Sequence, residues 1–388
     1  VRQSVAAGVN ITYKILYNDA VAMTGGQPVE GPMSVARITQ QMAAEGVKKL
    51  YLVSDEPEKH VGDKQIATGT LIRHRRELDD IQRELRETPG TTVIIYDQTC
   101  AAENRRRRKR GTFPDPAKRA FINELVCEGC GDCSVKSNCV AVEPLETEFG
   151  RKRKINQSSC NKDYSCVEGF CPSFVTVHGG DLRKLEQQKT GDDTFAGLPD
   201  PKLPKLDKPY NMLITGIGGT GVITIGAVLG MAAHIEGKGV TVLDQTGLAQ
   251  KNGSVMSHLR IAKTPDDLHA VRIATGNTDL LLGCDVVVSA GKVALSRYSE
   301  KTTAIVNSHL TPTAAFTLDP DTKFHESEQM LKIKNTVGKN KADFIEATAL
   351  ATDLMGDAIA TNMFMMGYAW QKGLIPLSFE AIEEAVKL

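Results

Sequence analysis

The 388-residue sequence predicts an α/β fold in which two strand–helix regions flank a cysteine-rich segment. Short apolar runs alternate with amphipathic stretches before residue 100 and again after residue 209. Continuous apolar strands of this kind are typical of parallel sheets, because both faces of such sheets are covered by helices. Seven of the nine cysteines lie between the two regions, from Cys127 to Cys171. A chain of this length is expected to form two or three domains.

The first region predicts an open parallel sheet. Three short apolar runs predict buried strands, namely residues 11–17, 49–53 and 91–96. Residues 32–46 have helical periodicity. A second, charged amphipathic helix is predicted from four apolar positions on one face, which are Leu71, Leu78, Ile81 and Leu85.

The loop after the first strand is the predicted ligand site of this sheet. Ligands of open parallel sheets bind at the carboxyl ends of the strands. The first strand, ITYKILY, is followed by Asn18 and Asp19 and then by the glycine-rich loop MTGGQPVEG. We therefore expect Asn18 and its neighbours to face a ligand.

The cysteine segment predicts an iron–sulfur centre. Cys127, Cys130 and Cys133 have the C-x-x-C-x-x-C spacing that wraps one face of a cubane cluster, and Cys171, followed by a proline, is the expected fourth ligand. The other three cysteines of the segment are Cys139, Cys160 and Cys166. One 4Fe-4S cluster is predicted. A second would use these three thiols with an unusual fourth ligand, or would lack one iron.

Zinc and disulfides are the alternatives for the same cysteines. Structural zinc favours two separated C-x-x-C pairs or mixed cysteine and histidine ligands, and no histidine lies between Cys127 and Cys171. Disulfides are typical of small secreted domains, and the sequence shows no secretory context. A tight triple of soft thiolate ligands favours iron–sulfur over both.

A run of cations, Arg105 to Arg110, precedes the cysteines. It is interpreted as a solvated loop, as a basic targeting or nucleic-acid motif, or as a docking patch for an acidic electron carrier. The formal net charge of the chain is zero, which predicts no nucleic-acid or membrane-surface partner. No apolar run is long enough for a transmembrane span.

A second α/β region follows a linker that is rich in proline and lysine and is expected to be extended and exposed. Gly216, Gly218 and Gly221 satisfy G-x-G-x-x-G between a predicted strand and helix, and the next strand, VTVLD, ends in Asp244. This is the dinucleotide fingerprint, although any tight turn from strand to helix needs similar glycines.

Further polar residues follow Asp244. The candidates for contact with an anion are Lys251, Asn252 and Ser254. His258 begins an apolar strand and is predicted to be structural, and Cys284 lies in an apolar run and is predicted to be a core thiol.

Three segments, in this order, resemble the fused indolepyruvate:ferredoxin oxidoreductases of the 2-oxoacid:ferredoxin oxidoreductase superfamily. NITYKILYNDAVAMTGGQPVEG resembles the second half of the family's thiamine-diphosphate motif. CEGCGDCSVKSNC with SSCNKDYSCVEGFCPSFVTVHGG resembles its ferredoxin insert. NMLITGIGGTGVITIG with DQTGLAQKNGSVMSHLRIA resembles its catalytic gamma domain.

The resemblance implies four parts of the chain. Residues 1–115 would be the C-terminal part of a thiamine-diphosphate-binding domain, and residues 116–180 a small 4Fe-4S ferredoxin-like domain. Residues 181–208 would be the linker. Residues 209–388 would be a Rossmann-like catalytic gamma domain, truncated at its C-terminus.

The resemblance also implies a reaction, in which an aryl 2-oxoacid such as indolepyruvate is oxidatively decarboxylated to its acyl-coenzyme A and electrons pass through 4Fe-4S to ferredoxin. In the family's motif, the side chain of Asn18 and the carbonyl of Ala20 would bind Mg²⁺, a hard ion that takes oxygen ligands. Four loop residues would then pack against thiamine diphosphate, namely Thr24, Gly25, Gly26 and Gln27. The motifs assign no catalytic residue.

The sequence departs from the family at its start. The family's motif opens with G-D-G, whose aspartate is the principal Mg²⁺ ligand, and no G-D-G precedes Asn18. Both ends of the sequence also lie within helical patterns, and it begins with Val1. We therefore expect a fragment of a longer cytoplasmic enzyme that is inactive without its N-terminal part, with ferredoxin and a 2-oxoacid as partners and a homo-oligomeric state.

The gamma domain of this family is Rossmann-like but holds no NAD. By this resemblance the second glycine-rich loop, with Gly216, Gly218, Gly219 and Gly221, would take coenzyme A. Two other classes stay open. One is an NAD(H)-linked reductase without thiamine chemistry, in which Asp244 grips the ribose. The other is an iron–sulfur electron-transfer subunit, which has no use for the Asn18 loop.

Overall fold

The computed structural model describes residues 1–21, 28–31, 33–180, 197–246, 253–310, 319, 321 and 325–388. These residues form two compact units. Unit 1 contains Val1–Asp115 and Asn161–Asp163, and unit 2 contains Pro116–Cys160 and Tyr164–Leu388. Both units combine parallel β-strands with α-helices, so the predicted α/β class is confirmed.

Unit 1 is built on a four-stranded sheet whose neighbouring strands are all parallel, in the order β1-β4-β2-β3. Its strands are β1 (Ile11–Tyr17), β2 (Lys49–Ser54), β3 (Leu71–His74) and β4 (Thr91–Asp97). Its helices are α1 (Arg2–Ala6), α2 (Val35–Ala44), α3 (Leu78–Glu87) and α4 (Ala101–Lys109), with 3-10 turns at Pro57–His60 and Arg75–Glu77.

The two faces of this sheet are covered by different helices. Ile38 of α2 packs with Leu52, Val93 and other residues on one face, while Ile81 of α3 packs with residues such as Val53 on the other. Helix α2 begins after Ser34, whose hydroxyl accepts a hydrogen bond from the Arg37 N–H at 3.2 Å, as an N-cap residue does. Because helices cover both faces of the sheet, side chains on both sides of β2 and β4 are buried, and these strands are apolar at successive positions.

Two local predictions in unit 1 are wrong. Leu71 was expected on the helix that carries Leu78, but it lies in β3, where its backbone pairs with Tyr51 of β2. Of the three interpretations of the run from Arg105 to Arg110, the solvated loop is wrong, because most of the run lies in α4. Cations in the last turn of a helix interact favourably with the helix dipole, which supports α4.

The cysteine segment belongs to unit 2 and contains two small antiparallel pairs, β5 with β8 and β6 with β7. Its elements are β5 (Lys118–Ile122), α5 (Asp132–Ser137), β6 (Val142–Thr147), β7 (Gly150–Ile155), a 3-10 turn at Ser165–Val167 and β8 (Phe174–His178). Its core is small, and a cysteine, Cys127, is buried in it beside Ile122 and Val142.

The rest of unit 2 is built on a six-stranded sheet with the order β10-β11-β9-β12-β13-β14. Its strands are β9 (Tyr210–Ile217), β10 (Gly239–Thr246), β11 (Ser254–Ala262), β12 (Leu280–Gly283), β13 (Thr303–Asn307) and β14 (Ala342–Ile345). Strand β11 is antiparallel to both of its neighbours, whereas β9, β12, β13 and β14 pair in parallel.

Helices cover both faces of this sheet. They are α6 (Val222–Ile235), α7 (Val286–Ser289), α8 (Lys292–Leu295), α9 (Glu326–Val337), α10 (Ala347–Met355), α11 (Thr361–Gln371) and α12 (Phe379–Lys387), with 3-10 turns at Pro265–Asp267 and Ala358–Ala360. Met212 and Ile214 of β9 pack with α6, α11 and α12, and Leu213 packs with α7, α8 and α9. Because successive side chains of a strand point to opposite faces of the sheet, neighbouring residues of β9 belong to two different hydrophobic cores.

The linker is irregular over its described residues, and part of it is packed rather than fully exposed. Leu206 lies against the larger core of unit 2, and the Pro199 carbonyl accepts a hydrogen bond from Gln371 Nε2 at 2.8 Å. Residues 181–196 lie outside the described residues. In the described ranges, no helix has both the length and the apolar content needed to cross a bilayer.

Candidate functional site

The carboxyl ends of β1 and β4 meet at one edge of the sheet in unit 1. The parallel register pairs Tyr17 with Asp97, the last residues of the two strands. The Gln98 N–H donates to the Tyr17 carbonyl at 3.1 Å and continues the pairing beyond them. Asn18, Asp19 and Ala20 follow Tyr17 at this edge, as the sequence predicts for a ligand site.

The side chain of Asn18 places an amide group at this edge of the sheet. This side chain is half-buried and makes no hydrogen bond with the residues that the structure describes. Asp19 takes the left-handed conformation with φ 58°, and Ala20 is buried. An amide oxygen is a ligand that Mg²⁺ accepts, so the donor at Asn18 fits a magnesium-bound diphosphate. Thr24, Gly25, Gly26 and Gln27 lie outside the described residues.

An arginine from α4 holds the turn that follows Asn18. Arg107 Nη1 lies 3.2 Å from Asp19 Oδ2, and its Nη2 donates to the Asp19 carbonyl at 3.4 Å. Arg107 Nε donates to Glu103 Oε1 at 3.3 Å, and the Glu103 side chain is 2% exposed. The buried carboxylate therefore orients the guanidinium, which donates hydrogen bonds to both the side chain and the backbone carbonyl of Asp19. We call these three residues the Asp19 clamp.

The neighbouring arginines also bind within unit 1. Arg106 Nε pairs with Glu103 Oε2 at 2.9 Å. Arg108 donates to the carbonyls of Pro114 at 3.2 Å and Asn161 at 2.6 Å, and its guanidinium lies over the Phe113 ring. The centre of the cationic run therefore stabilises the fold of unit 1. Docking of an acidic carrier to this run stays a prediction.

Sequence reasoning missed a second charged group at the same edge. Asp97 is 7% exposed, and its Oδ2 lies 2.7 Å from His60 Nε2 and 2.9 Å from Lys59 Nζ. Burial and the nearby Asp19 and Asp97 carboxylates raise the pKa of Tyr17. The signal was present in the sequence, because Asp97 directly follows the run TTVIIY at the carboxyl end of a predicted strand. No pattern in the sequence indicated its partners, Lys59 and His60, which lie in the 3-10 turn Pro57–His60.

The structure brings three of the predicted cluster cysteines into one small core. Cys127 is buried, and Cys133 and Cys139 pack against the same core. Helix α5, which carries Cys133, contacts the 3-10 turn that carries Cys166. Cys130 and Cys171 are exposed. The nine cysteines, all of which lie in the described residues, form no disulfide with one another. No group of three or more His, Cys, Asp or Glu side chains in these residues is arranged to hold a metal ion.

The backbone around Cys127 fits a thiolate-bound cluster. The Gly129 N–H donates to Cys127 Sγ at 3.4 Å, a contact of the kind that tunes iron–sulfur clusters. Gly129 has φ 78°, and a Cβ there would overlap the Arg151 carbonyl, so the loop needs glycine at this position. Cys171 Sγ lies 3.0 Å from Ser173 Oγ. Soft sulfur donors and N–H groups aimed at sulfur suit iron–sulfur chemistry.

A buried cation lies near these thiols. Arg153, in β7, is 1% exposed, and its Nη1 donates to the Lys152 carbonyl at 3.0 Å. Burial raises the pKa of the Cys133 thiol, and the charge of Arg153 opposes that rise. A nearby guanidinium favours the thiolate form of a cysteine, which is the form that binds metals.

The glycines of the second loop have different structural roles. A Cβ on Gly216 would overlap Thr220 and Val222, and one on Gly221, where φ is 82°, would overlap Asn362. Gly219 faces open space. The Gly218 N–H already donates to the Gly253 carbonyl at 2.7 Å. The tight turn into α6 therefore accounts for Gly216 and Gly221 without any ligand.

The acidic partner expected of a dinucleotide fingerprint is not beside this loop. Asp244 lies near the end of β10, and β11 separates β10 from β9. Two strand spacings amount to about 10 Å. The inserted antiparallel strand is the reason why Asp244 does not have the place that an NAD-binding sheet gives it. Lys251 and Asn252 lie outside the described residues, and Ser254 is exposed at the start of β11.

Two residues interpreted as structural are buried. His258 Nδ1 accepts the Ile273 N–H at 3.3 Å, and its Nε2 lies 2.9 Å from Gln245 Oε1, which assigns the neutral ring with its proton on Nε2. Burial, with the charges of Arg297 and Arg272, lowers the pKa of His258 to about 4. Burial raises the pKa of the Cys284 thiol to about 12.

The C-terminal part of the chain is similar to known oxidoreductases. Residues 211–388 match the family model described as POR, pyruvate ferredoxin/flavodoxin oxidoreductase. The indolepyruvate oxidoreductase subunit IorB of Pyrococcus horikoshii is 29% identical over 182 residues, which cover 47% of this chain and 86% of that protein. The subunit of the same name from Thermococcus kodakarensis is 28% identical over 182 residues, with the same coverage.

Two solved structures align with part of the chain. The pyruvate oxidoreductase subunit PORC of Thermotoga maritima has a TM-score of 0.33 and 19% identity, over 46% of this chain and 84% of its own. The 2-oxoglutarate:ferredoxin oxidoreductase of Magnetococcus marinus has a TM-score of 0.34 and 18% identity, over 46% of this chain and 27% of its own. At these scores the alignments add nothing to the family match.

The buried His258 predicts a pH dependence of stability. Its pKa in the folded state is about 4, below the ordinary value of 6.5, so protonation favours the unfolded chain. The stability that the neutral ring contributes is present above pH 6.5 and is lost as the pH falls toward 4. Urea unfolding should show a loss of about 1–3 kcal/mol over this window for the wild type.

The His258→Gln variant is the control, because its amide does not titrate. Its free energy of unfolding should fall less than that of the wild type over the same pH range, whatever its stability at pH 8. Parallel pH profiles for the two proteins would contradict the assignment of His258 as a buried neutral ring.

Proposed function

We propose that this chain is part of a 2-oxoacid:ferredoxin oxidoreductase that acts on an aryl 2-oxoacid such as indolepyruvate. One observation carries the proposal. A region that matches the pyruvate ferredoxin/flavodoxin oxidoreductase model follows, in the same chain, a cysteine segment in which Cys127 and Cys133 share one core. The relatives named above are indolepyruvate oxidoreductase subunits, which supports the choice of substrate.

The three parts of the chain have separate roles in this proposal. Residues 1–115 are the C-terminal part of a thiamine-diphosphate domain, residues 116–180 are a ferredoxin-like 4Fe-4S domain, and residues 209–388 are the gamma domain. When bound, thiamine diphosphate supplies the electron sink for decarboxylation, and the cluster supplies single-electron transfer. Coenzyme A is the acyl acceptor and ferredoxin the electron acceptor.

The residues of unit 1 orient the diphosphate end of the cofactor. The Asn18 amide oxygen and the Ala20 carbonyl would be ligands of Mg²⁺. Asp19 lies between them, and Arg107 holds it by two contacts. The clamp thus fixes the backbone turn on which both oxygen ligands depend, before the metal binds.

The residues of the cysteine segment would hold the cluster. Cys127, Cys130, Cys133 and Cys171 are the proposed ligands of one 4Fe-4S cluster, and Cys139, Cys160 and Cys166 are available to a second. The Gly129 N–H and the buried Arg153 both place positive charge near the ligand sulfurs. Such groups stabilise an anionic cluster and raise its reduction potential.

The reaction is tested with the full-length enzyme that contains this chain, under anaerobic conditions. Reduction of methyl viologen should require a 2-oxoacid, thiamine diphosphate and coenzyme A together. We expect kcat/KM to be at least about tenfold higher for indolepyruvate and phenylpyruvate than for pyruvate, since an extended apolar contact contributes more than 1.4 kcal/mol. Reduction driven by NADH without thiamine diphosphate would instead support the reductase alternative.

The cluster proposal predicts the metal content of the purified protein. The anaerobic chain should be brown and carry about four irons, or up to eight, with matching sulfide. Cys133→Ala should remove the absorbance and the iron of one cluster. Cys100→Ala, which changes a cysteine outside the segment, should leave both intact. Stoichiometric zinc without iron in the wild type would contradict the proposal.

The Asp19 clamp predicts a change in cofactor affinity. In the full-length enzyme, Arg107→Gln should raise the dissociation constant for thiamine diphosphate with Mg²⁺ about fivefold, because the ion pair is partly exposed and contributes about 1 kcal/mol. Arg107→Lys should recover part of this loss, since lysine keeps the charge but loses the planar fork. Quenching of protein fluorescence on cofactor binding measures the constants.

Arg110→Gln is the matched control for the clamp. Arg110 is exposed at the end of α4, so the substitution removes the same charge without touching Asp19. Its cofactor affinity should equal that of the wild type. If the two glutamine variants weaken cofactor binding equally, the effect of Arg107 is a general effect of charge and the clamp is contradicted. If the wild type binds no thiamine diphosphate, the proposed function itself is contradicted.

A further inference from the structure

The six-stranded sheet of unit 2 has a cationic cleft at the end opposite the glycine-rich loop. The loop follows the carboxyl end of β9, whereas the cleft lies beside the start of that strand, about 20 Å away along β9. The cleft has a volume of about 830 Å³, which is in the range of small-molecule sites. Its walls come from the segment before β9, the end of β11 and the loop that follows it.

The charges that line the cleft are predominantly positive. Four cationic side chains face two carboxylates, which leaves an excess of two positive charges; the cations are Lys208, Arg260, Lys263 and Arg272, and the acids are Asp207 and Asp267. Asp267 is already engaged, because its Oδ2 accepts hydrogen bonds from the Thr264 N–H at 3.1 Å and from Thr264 Oγ1 at 2.9 Å. Lys208 Nζ also lies 4.0 Å from Asp279 Oδ1, which compensates one of the four cations, so the positive charge of the cleft comes mainly from Arg260, Lys263 and Arg272.

One of the cations is held in place by neutral acceptors. Arg260 Nε donates to Asn211 Oδ1 at 2.8 Å, and its Nη1 donates to the Ala270 carbonyl. Asn211 is itself fixed, because it is 3% exposed and its Nδ2 donates to the Asn277 carbonyl at 2.9 Å. A guanidinium has five N–H donors, so this arrangement orients the group and leaves donors for a ligand.

Two further cations have no counter-charge in the part of the chain that the structure describes. Lys263 and Arg272 are exposed and pair with no carboxylate among these residues. Burial, together with the charges of Arg297 and Arg272, lowers the pKa of His258, so one cation of the cleft also acts on a buried group. Like charges gathered around a concave surface raise the local concentration of anions.

We propose that this cleft binds a small molecule through a diphosphate group. Two guanidinium groups and an ammonium group match the oxygens of a diphosphate, since arginine forks bind phosphate oxygens in pairs. The concave surface and its volume of about 830 Å³ suit a small ligand. The site is separate from the glycine-rich loop, and it does not depend on the reaction proposed above.

The proposal is tested by calorimetric titration of the full chain with inorganic pyrophosphate and with ADP, in buffer without divalent metal. Each should bind with a stoichiometry of one at the cleft, and adenosine, which has no phosphate, should bind at least about tenfold more weakly. Arg272→Gln and Lys263→Gln should each raise both dissociation constants about five- to tenfold, as loss of one charge-assisted hydrogen bond does. Both side chains are exposed, so the variants should fold normally.

Lys301→Gln is the matched control, because it removes one exposed positive charge outside the cleft. Its affinities should equal those of the wild type. The proposal is overturned if pyrophosphate does not bind, or if the three variants weaken binding equally. It is also overturned if a hexaglutamate peptide binds while ADP does not, because the cleft would then be a surface for an acidic protein.

Discussion

The parallel pairing of β1 with β4 is the interaction on which the geometry of unit 1 depends. Tyr13, Ile15 and Tyr17 of β1 pack on the same core as Ile38 of α2. A slip of one residue would turn all three to the other face of the sheet, so burial determines the register. The register in turn places Asn18 beside the end of β4, and so beside Asp97. A hydrophobic requirement thus fixes the position of the polar residues.

A buried carboxylate organises the charges around that edge. Glu103 is almost inaccessible to water, and an unpaired carboxylate there would be strongly unfavourable. Arg106 and Arg107 satisfy it, and Arg107 also reaches Asp19. Removing one partner of such a pair is costlier than the pair is stabilising, because the remaining charge is left in the interior. Two arginines of the cationic run therefore compensate a buried acid, and the run is not simply a charged surface.

Local patterns predicted three of the four strands of unit 1 and missed β3. The apolar runs at 11–17, 49–53 and 91–96 agree with β1, β2 and β4 to within one residue. Leu71 was misassigned because it fits the helical period of Leu78 and Ile81, and only its pairing with β2 makes it a strand residue. The helix at the arginine run gave no apolar period, since its stability comes from Glu103 and the helix dipole.

Local patterns are limited in the same way for the candidate sites, because they do not indicate contacts between residues that are distant in the chain. Local patterns predicted the cysteines and Asn18 as candidates, because such patterns involve residues that are near one another in the chain. Lys59, His60 and Arg107 are 37 residues or more from the carboxylates at 97 and 19 that they contact, so no local pattern indicated them. The position of Asp244 depended on which strand lies beside β9, and the sequence of VTVLD contains no information about that neighbour.

The antiparallel strand β11 determines what each end of the second sheet can do. Its start lies over the glycine-rich loop, where the Gly253 carbonyl takes the Gly218 N–H and removes one donor from any anion bound there. Its end lies at the opposite edge, where Arg260 pairs in register with Asn211 and Lys263 follows. A parallel strand in this place would carry Lys263 to the glycine-rich loop instead. The insertion of β11 therefore moves Asp244 sideways from the loop, and the reversed direction of β11 places Arg260 and Lys263 at the cleft.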